Sequence, residues 1–174
     1  PVIAAVMLLG GCARKEAETP LFALDQCARV TLTDAATGAP ITGAEDLDID
    51  RDAARIFISA YDRRKAEEAV ANRAPAVPGG GVYAIEIAAL KSSGTSFTLR
   101  SLVEPSLLEG GLRPHGISFD RESGAVSFIN RGYVAAGEAW RRKIEVVRFN
   151  PAQGGSISVS PAGCSANDLA SSEG

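Results

Sequence analysis

The chain has 174 residues, 45% of them hydrophobic and 22% charged, an ordinary globular composition with material for one core. A net charge of −3 and a pI near 5.3 speak against a nucleic-acid surface. The one short basic run, Asp62-Arg63-Arg64-Lys65, stands beside Glu67 and Glu68 and reads as a solvated loop or short helix face.

Residues 1–12 open on Pro1 and an apolar run, Val2-Ile3-Ala4-Ala5-Val6-Met7-Leu8-Leu9. The run is too short to span a bilayer and reads as the core of a signal peptide lacking its basic start. Leu9-Gly10-Gly11-Cys12 then resembles a bacterial lipobox, with Cys12 the residue to be acylated; the alternative is a plain secretory signal with an incidental cysteine. Either way the protein is expected to be exported, to the periplasm or, as a lipoprotein held by an N-terminal lipid anchor, to the outer membrane. Export makes Cys27 and Cys164 disulfide candidates, paired with each other or, for Cys27, with a cysteine beyond residue 174.

Residues 13–26 read as a polar tether, and residues 27–43 as an irregular strand or two with turn signals at Thr37-Gly38 and Ala39-Pro40. From Leu47 the pattern is β. Leu47 and Ile49 alternate with Asp48 and Asp50, residues 51–54 turn, and Arg55–Ser59 returns. A connection over 62–79 holds a possible short helix at 63–71. Strands are expected over 81–87, 96–99, 116–120, 125–129, 143–149 and 156–160, with no long amphipathic helix.

The segment at Glu45 repeats. Setting Glu45 on His115, an offset of 70 residues, places Leu47 on Ile117, Ile49 on Phe119, Asp50 on Asp120, Arg51 on Arg121, Ile56 on Val126 and Ile58 on Phe128. A third, weaker echo opens at Asn167-Asp168-Leu169. A long-period repeat with four expected strands per unit is the signature of propeller blades. The expected fold is therefore all-β: residues 27–174 as the N-terminal part of a propeller, about two blades and the start of a third, unable to close alone.

In a propeller the first strand of each blade lines the axis, so equivalent positions of successive blades converge. Here they carry Glu45-Asp46, His115-Gly116 and Asn167-Asp168. Hard oxygen donors gathered on an axis suit Ca²⁺ and suit zinc poorly. Taken singly, Glu45-Asp46 could be turn residues and His115 a loop histidine satisfied by a carbonyl. Asp50 and Asp120 are better read as turn residues than as ligands.

The three motifs in this order, with Pro114-His115-Gly116-Ile117-Ser118 the most specific, resemble the paraoxonase/arylesterase family of gluconolactonase-like six-bladed propellers, over roughly residues 24–170. The resemblance implies a hydrolase of aryl esters or lactones with two calcium ions in its central tunnel. It implies Glu45 and Asn167 on the catalytic ion, and Asp46, Asp168 and the Ile117 carbonyl on the structural one. His115 would be the catalytic histidine, and Cys27 would be tied by a disulfide to the last blade. Vertebrate paraoxonases have a second histidine after the next strand; the matching residue here is Arg131, which cannot serve as a base at neutral pH. The competing expectation is a non-catalytic exported propeller that binds a ligand or partner, its calcium purely structural.

Overall fold

The computed structural model describes residues 27–92, 94–154 and 156–162. Among the described residues nine strands form three sheets. The first unit supplies β2 (Ala44–Asp50), β3 (Arg55–Tyr61) and β4 (Gly80–Glu86) as an antiparallel three-stranded sheet. The second supplies β6 (Pro114–Asp120), β7 (Ala125–Ala136), β8 (Ala139–Phe149) and β9 (Ile157–Pro161) as a four-stranded antiparallel meander. The chain is all-β in class, and none of the three sheets closes on itself among the described residues. No described helix is long and apolar enough to cross a membrane.

The repeat at an offset of 70 is real as structure: β2 and β6 begin their sheets at matching positions, and β3 and β7 return at matching positions. Both returns use the expected turns. Asp50 accepts the Ala53 amide at 3.0 Å, and Asp120 accepts those of Glu122 and Ser123 at 3.1 and 3.4 Å. These bonds to the ionised form hold both carboxyl groups below the usual range, led by the Ala53 amide for Asp50 and by the Ser123 hydroxyl for Asp120. The helix over Arg63–Ala71, α1, is capped by Asp62, whose side chain accepts the Lys65 amide at 3.1 Å.

The first unit departs from four strands per sheet. After β4, a short helix α2 (Ile87–Lys91) turns the chain, and β5 (Ser96–Leu99) pairs in parallel with β1 (Thr31–Asp34) instead of extending the sheet beside β4. The reason is burial. Phe97 and Leu99 of β5, with Leu32 and Ile41, cover the face of the first sheet carrying Ile58, Tyr83 and Ile85. Those apolar side chains would otherwise meet water. The Tyr83 hydroxyl donates to Asp34 at 3.0 Å and secures this layer; burial first, then the neighbouring carboxylate, pushes that phenol up.

The opposite face of the first sheet packs on the second sheet. Phe57 and Val82 meet Ile117, Val126, Phe128, Val147 and Phe149, and Val103, Leu108 and Leu112 of the connecting loop close the cluster. The Phe57 and Phe119 rings lie 5.3 Å apart, and Phe128 and Phe149 meet edge-on at 6.3 Å. β7 and β8 extend beyond the expected strands into a hairpin closed by Gly137 (φ +64) and Glu138, the backbone hand a two-residue hairpin loop requires. Its Trp140 donates to the Ala74 carbonyl at 2.9 Å and docks the hairpin beside α1.

Candidate active site

β2 and β6 belong to different sheets, yet they lie side by side. Their link is a series of carboxylates on backbone amides. Asp46 Oδ2 accepts the Ile117 amide at 3.0 Å, and Asp48 Oδ2 accepts the Phe119 amide at 2.7 Å. Asp52 then forms a two-pronged pair with Arg121 at 2.6 and 2.7 Å. Alternation along the strand explains the pattern: Asp46 and Asp48 point one way while Leu47 and Ile49 point the other.

Both strands bulge at the same place in the repeat. On β2, Ala44 faces Ala60 and Asp46 faces Ser59, so Glu45 is an extra residue. On β6, Pro114 faces Asn130 and Ile117 faces Phe128, so one extra residue lies within His115-Gly116. A bulge breaks the ladder locally and re-aims a side chain, and bulges concentrate near active sites. Here the paired bulges bring His115 Nε2 within 3.2 Å of Glu45 Oε2. The imidazole is 10% exposed and the carboxylate 23%, so the pair is largely withdrawn from water but reachable.

The surroundings are held from both sides. Asp46 is fixed by three bonds: Oδ1 accepts its neighbour Leu47 N–H at 2.8 Å, Oδ2 accepts Ile117 N–H, and its carbonyl accepts the Ser59 hydroxyl at 3.3 Å. Tyr61, the last residue of β3, is buried. Burial raises its phenol most; the Arg131 charge opposes that and the Glu45 charge adds to it, which puts Arg131, Glu45 and Tyr61 in one electrostatic neighbourhood. The Arg131 amide donates to the Arg113 carbonyl at 3.0 Å.

Of the expected site residues, the structure brings together Glu45, Asp46, His115 and Ile117. It joins Asp46 to Ile117 through the Ile117 amide, whereas the resemblance implied its carbonyl. Asn167 and Asp168 lie outside the described residues, as do Cys12 and Cys164; Cys27 is exposed and has no disulfide partner among the described residues. Among those residues no three His, Cys, Asp or Glu side chains are gathered as a metal site. Glu45 and Asp46 nevertheless fit calcium in kind. An ionised carboxylate offers about four acceptor directions, and the two oxygens of Asp46 take one amide each.

Three residues of this site carry no motif. Asp48 was readable from its alternation with Asp46. Asn130, fully buried, accepts the Arg113 amide at 2.7 Å and donates to the Gly111 carbonyl at 3.0 Å. Arg113, 5% exposed, spreads its guanidinium over the carbonyls of Val77, Pro78 and Gly110 and stacks above Tyr133. The sequence signal for Asn130 is a polar residue directly after the strand segment Ala125–Ile129. Comparison with protein-family models, with curated proteins and with solved structures gave no match.

Proposed function

We propose that this chain is part of a calcium-dependent hydrolase of aryl esters or lactones, with His115 as its catalytic histidine and the two repeat units as neighbouring blades of a six-bladed propeller. The observation that carries the reading is the pair of bulges at repeat-equivalent positions, which sets His115 Nε2 3.2 Å from Glu45 Oε2. The two ladders shift register at the same point of the repeat, and the carboxylate of one bulge meets the imidazole of the other.

In this reading water attacks the carbonyl carbon while the imidazole of His115 takes the water's proton. Glu45 faces Nε2, orients the ring and stabilises the imidazolium that forms. Collapse of the tetrahedral intermediate expels the alcohol, which recovers that proton, and leaves the carboxylic acid. Calcium held by Glu45 and Asn167, when bound, would polarise the carbonyl and stabilise the developing oxyanion. A second ion would rest on Asp46, Asp168 and Ile117. Cys12 would carry a lipid that keeps the exported protein at a bacterial membrane surface, and Cys27 would form a disulfide with a later cysteine.

Arg131 favours a second reading, a non-catalytic exported propeller that binds a ligand or partner and keeps calcium for structure. It stands where a proton relay would need another histidine, and a guanidinium cannot accept a proton at neutral pH. Hydrolysis of a phenyl ester and of a simple lactone, each with and without chelator, separates the two. Activity lost on chelation supports the hydrolase. Activity that survives chelation removes it, and no activity together with calcium-dependent thermal stabilisation supports the binding protein.

A further inference from the structure

We infer that Asn130 is a positioning residue that sets the placement of His115 against Glu45; the inference rests on the hydrolase reading above for its kinetic consequence, though its geometric content does not.

His115 sits where β6 leaves regular pairing, between Pro114, which faces Asn130, and Ile117, which faces Phe128. The register between β6 and β7 shifts at that point. Pro114 offers no amide. The first firm attachment after the bulge is the Ile117 amide on Asp46 at 3.0 Å. Before the bulge, the Arg113 guanidinium holds the carbonyls of Val77, Pro78 and Gly110, and the side chain of Asn130 holds the backbone on either side of Leu112. Asn130 Oδ1 accepts the Arg113 amide at 2.7 Å, its Nδ2 donates to the Gly111 carbonyl at 3.0 Å, and the next amide along, Arg131 N–H, donates to the Arg113 carbonyl at 3.0 Å. Asn130 is 0% exposed and stands at the repeat position of Ala60, which faces Ala44 before the Glu45 bulge and makes no such bond through its methyl group. The second unit thus spends a buried amide where the first needs none, and it does so two residues ahead of the imidazole.

Two bonds give a graded prediction. Asn130→Asp keeps an acceptor for the Arg113 amide and loses the donor to Gly111; Asn130→Ala loses both. A 1 Å displacement of a reacting group costs about 100-fold. On that scale kcat for phenyl-ester hydrolysis should fall about 10-fold in Asn130→Asp and about 100-fold in Asn130→Ala, with KM unchanged in both. Ile85→Ala, a buried truncation on the opposite face of the first sheet, serves as the control for stability alone. Its kcat should hold at a comparable loss of Tm.

A second readout needs no activity. In protein labelled at histidine, the His115 signal is identified by its disappearance in His115→Gln. It should move or broaden in both Asn130 variants and stay in place in Ile85→Ala. If the parent protein hydrolyses neither substrate class, the hydrolase reading falls and this signal alone decides on Asn130. An unmoved His115 signal in folded Asn130→Asp overturns the inference. So does an undiminished kcat, or a fall in kcat that Ile85→Ala reproduces. Should Asn130→Ala fail to fold, Asn130→Asp carries both measurements.

Discussion

Replacing Asp48 by alanine should loosen the join between the two sheets without touching either hydrophobic face. The carboxylate makes one local bond, to the Ile49 amide at 2.7 Å, and one bond between sheets, to the Phe119 amide at 2.7 Å. A hydrogen bond to a charged group contributes about 1.5–3 kcal/mol net, so the variant should lose roughly 2 kcal/mol. For a chain of this size that corresponds to a fall in Tm of about 4–8 °C. Asn retains an acceptor without the charge, and Asp48→Asn should cost about half as much. The control is Asp52→Ala, one step further along the same join. Its pair with Arg121 is shorter, at 2.6 Å, but the side chains are 60% and 74% exposed. An exposed pair is worth about 0–1 kcal/mol, so distance and worth should run in opposite order. Urea unfolding of the three variants at fixed salt measures this. If Asp52→Ala costs as much as Asp48→Ala, or Asp48→Ala costs nothing, then β2 and β6 are not joined through these carboxylates.

Asp50 is held below the ordinary carboxylate range by the Ala53 amide foremost and by Arg55. A depressed folded value adds stability that is complete above the unfolded value, about 3.9, and is lost as pH falls through the folded one. The parent protein should therefore lose stability progressively below about pH 4, and Asp50→Asn should flatten that limb; an unchanged acid limb in urea midpoints from pH 6 to 2.5 would refute the assignment. Gly43 holds φ +65 just before the Glu45 bulge, and a Cβ there would stand 2.2 Å from the Tyr61 carbonyl oxygen. Gly43→Ala should thus cost more than the roughly 1–2 kcal/mol of a left-handed alanine, and a variant as stable as the parent would contradict the geometry.

Much of the frame was legible in the residues. The offset of 70 located β2 and β6 as counterparts, the Asp-led turns at 50 and 120 stand where their spacing put them, and the helix over 63–71 agrees to the residue. These are local signals, set by alternation, capping and turn chemistry. The sheet to which β5 belongs was not legible, because its apolar residues fit any face that needs covering, and only the face of Ile58 and Ile85, which β5 buries, decides which. The bulges were not legible either. A bulge is a property of two strands in register, and neither Glu45 nor His115 carries a mark of it. For the same reason the motif named His115 and missed Asn130, whose partners stand 17 and 19 residues away.

The central claim is that the Glu45–His115 pair is a catalytic one. The measurement that tests it most directly is kcat/KM for phenyl-ester hydrolysis at saturating calcium in the parent protein, in His115→Ala and in Glu45→Gln, each shown to be folded. Loss of a positioned acid–base group costs about 100–10,000-fold, and both variants should fall by that order. A His115→Ala protein that hydrolyses the ester at the parent rate would contradict the account.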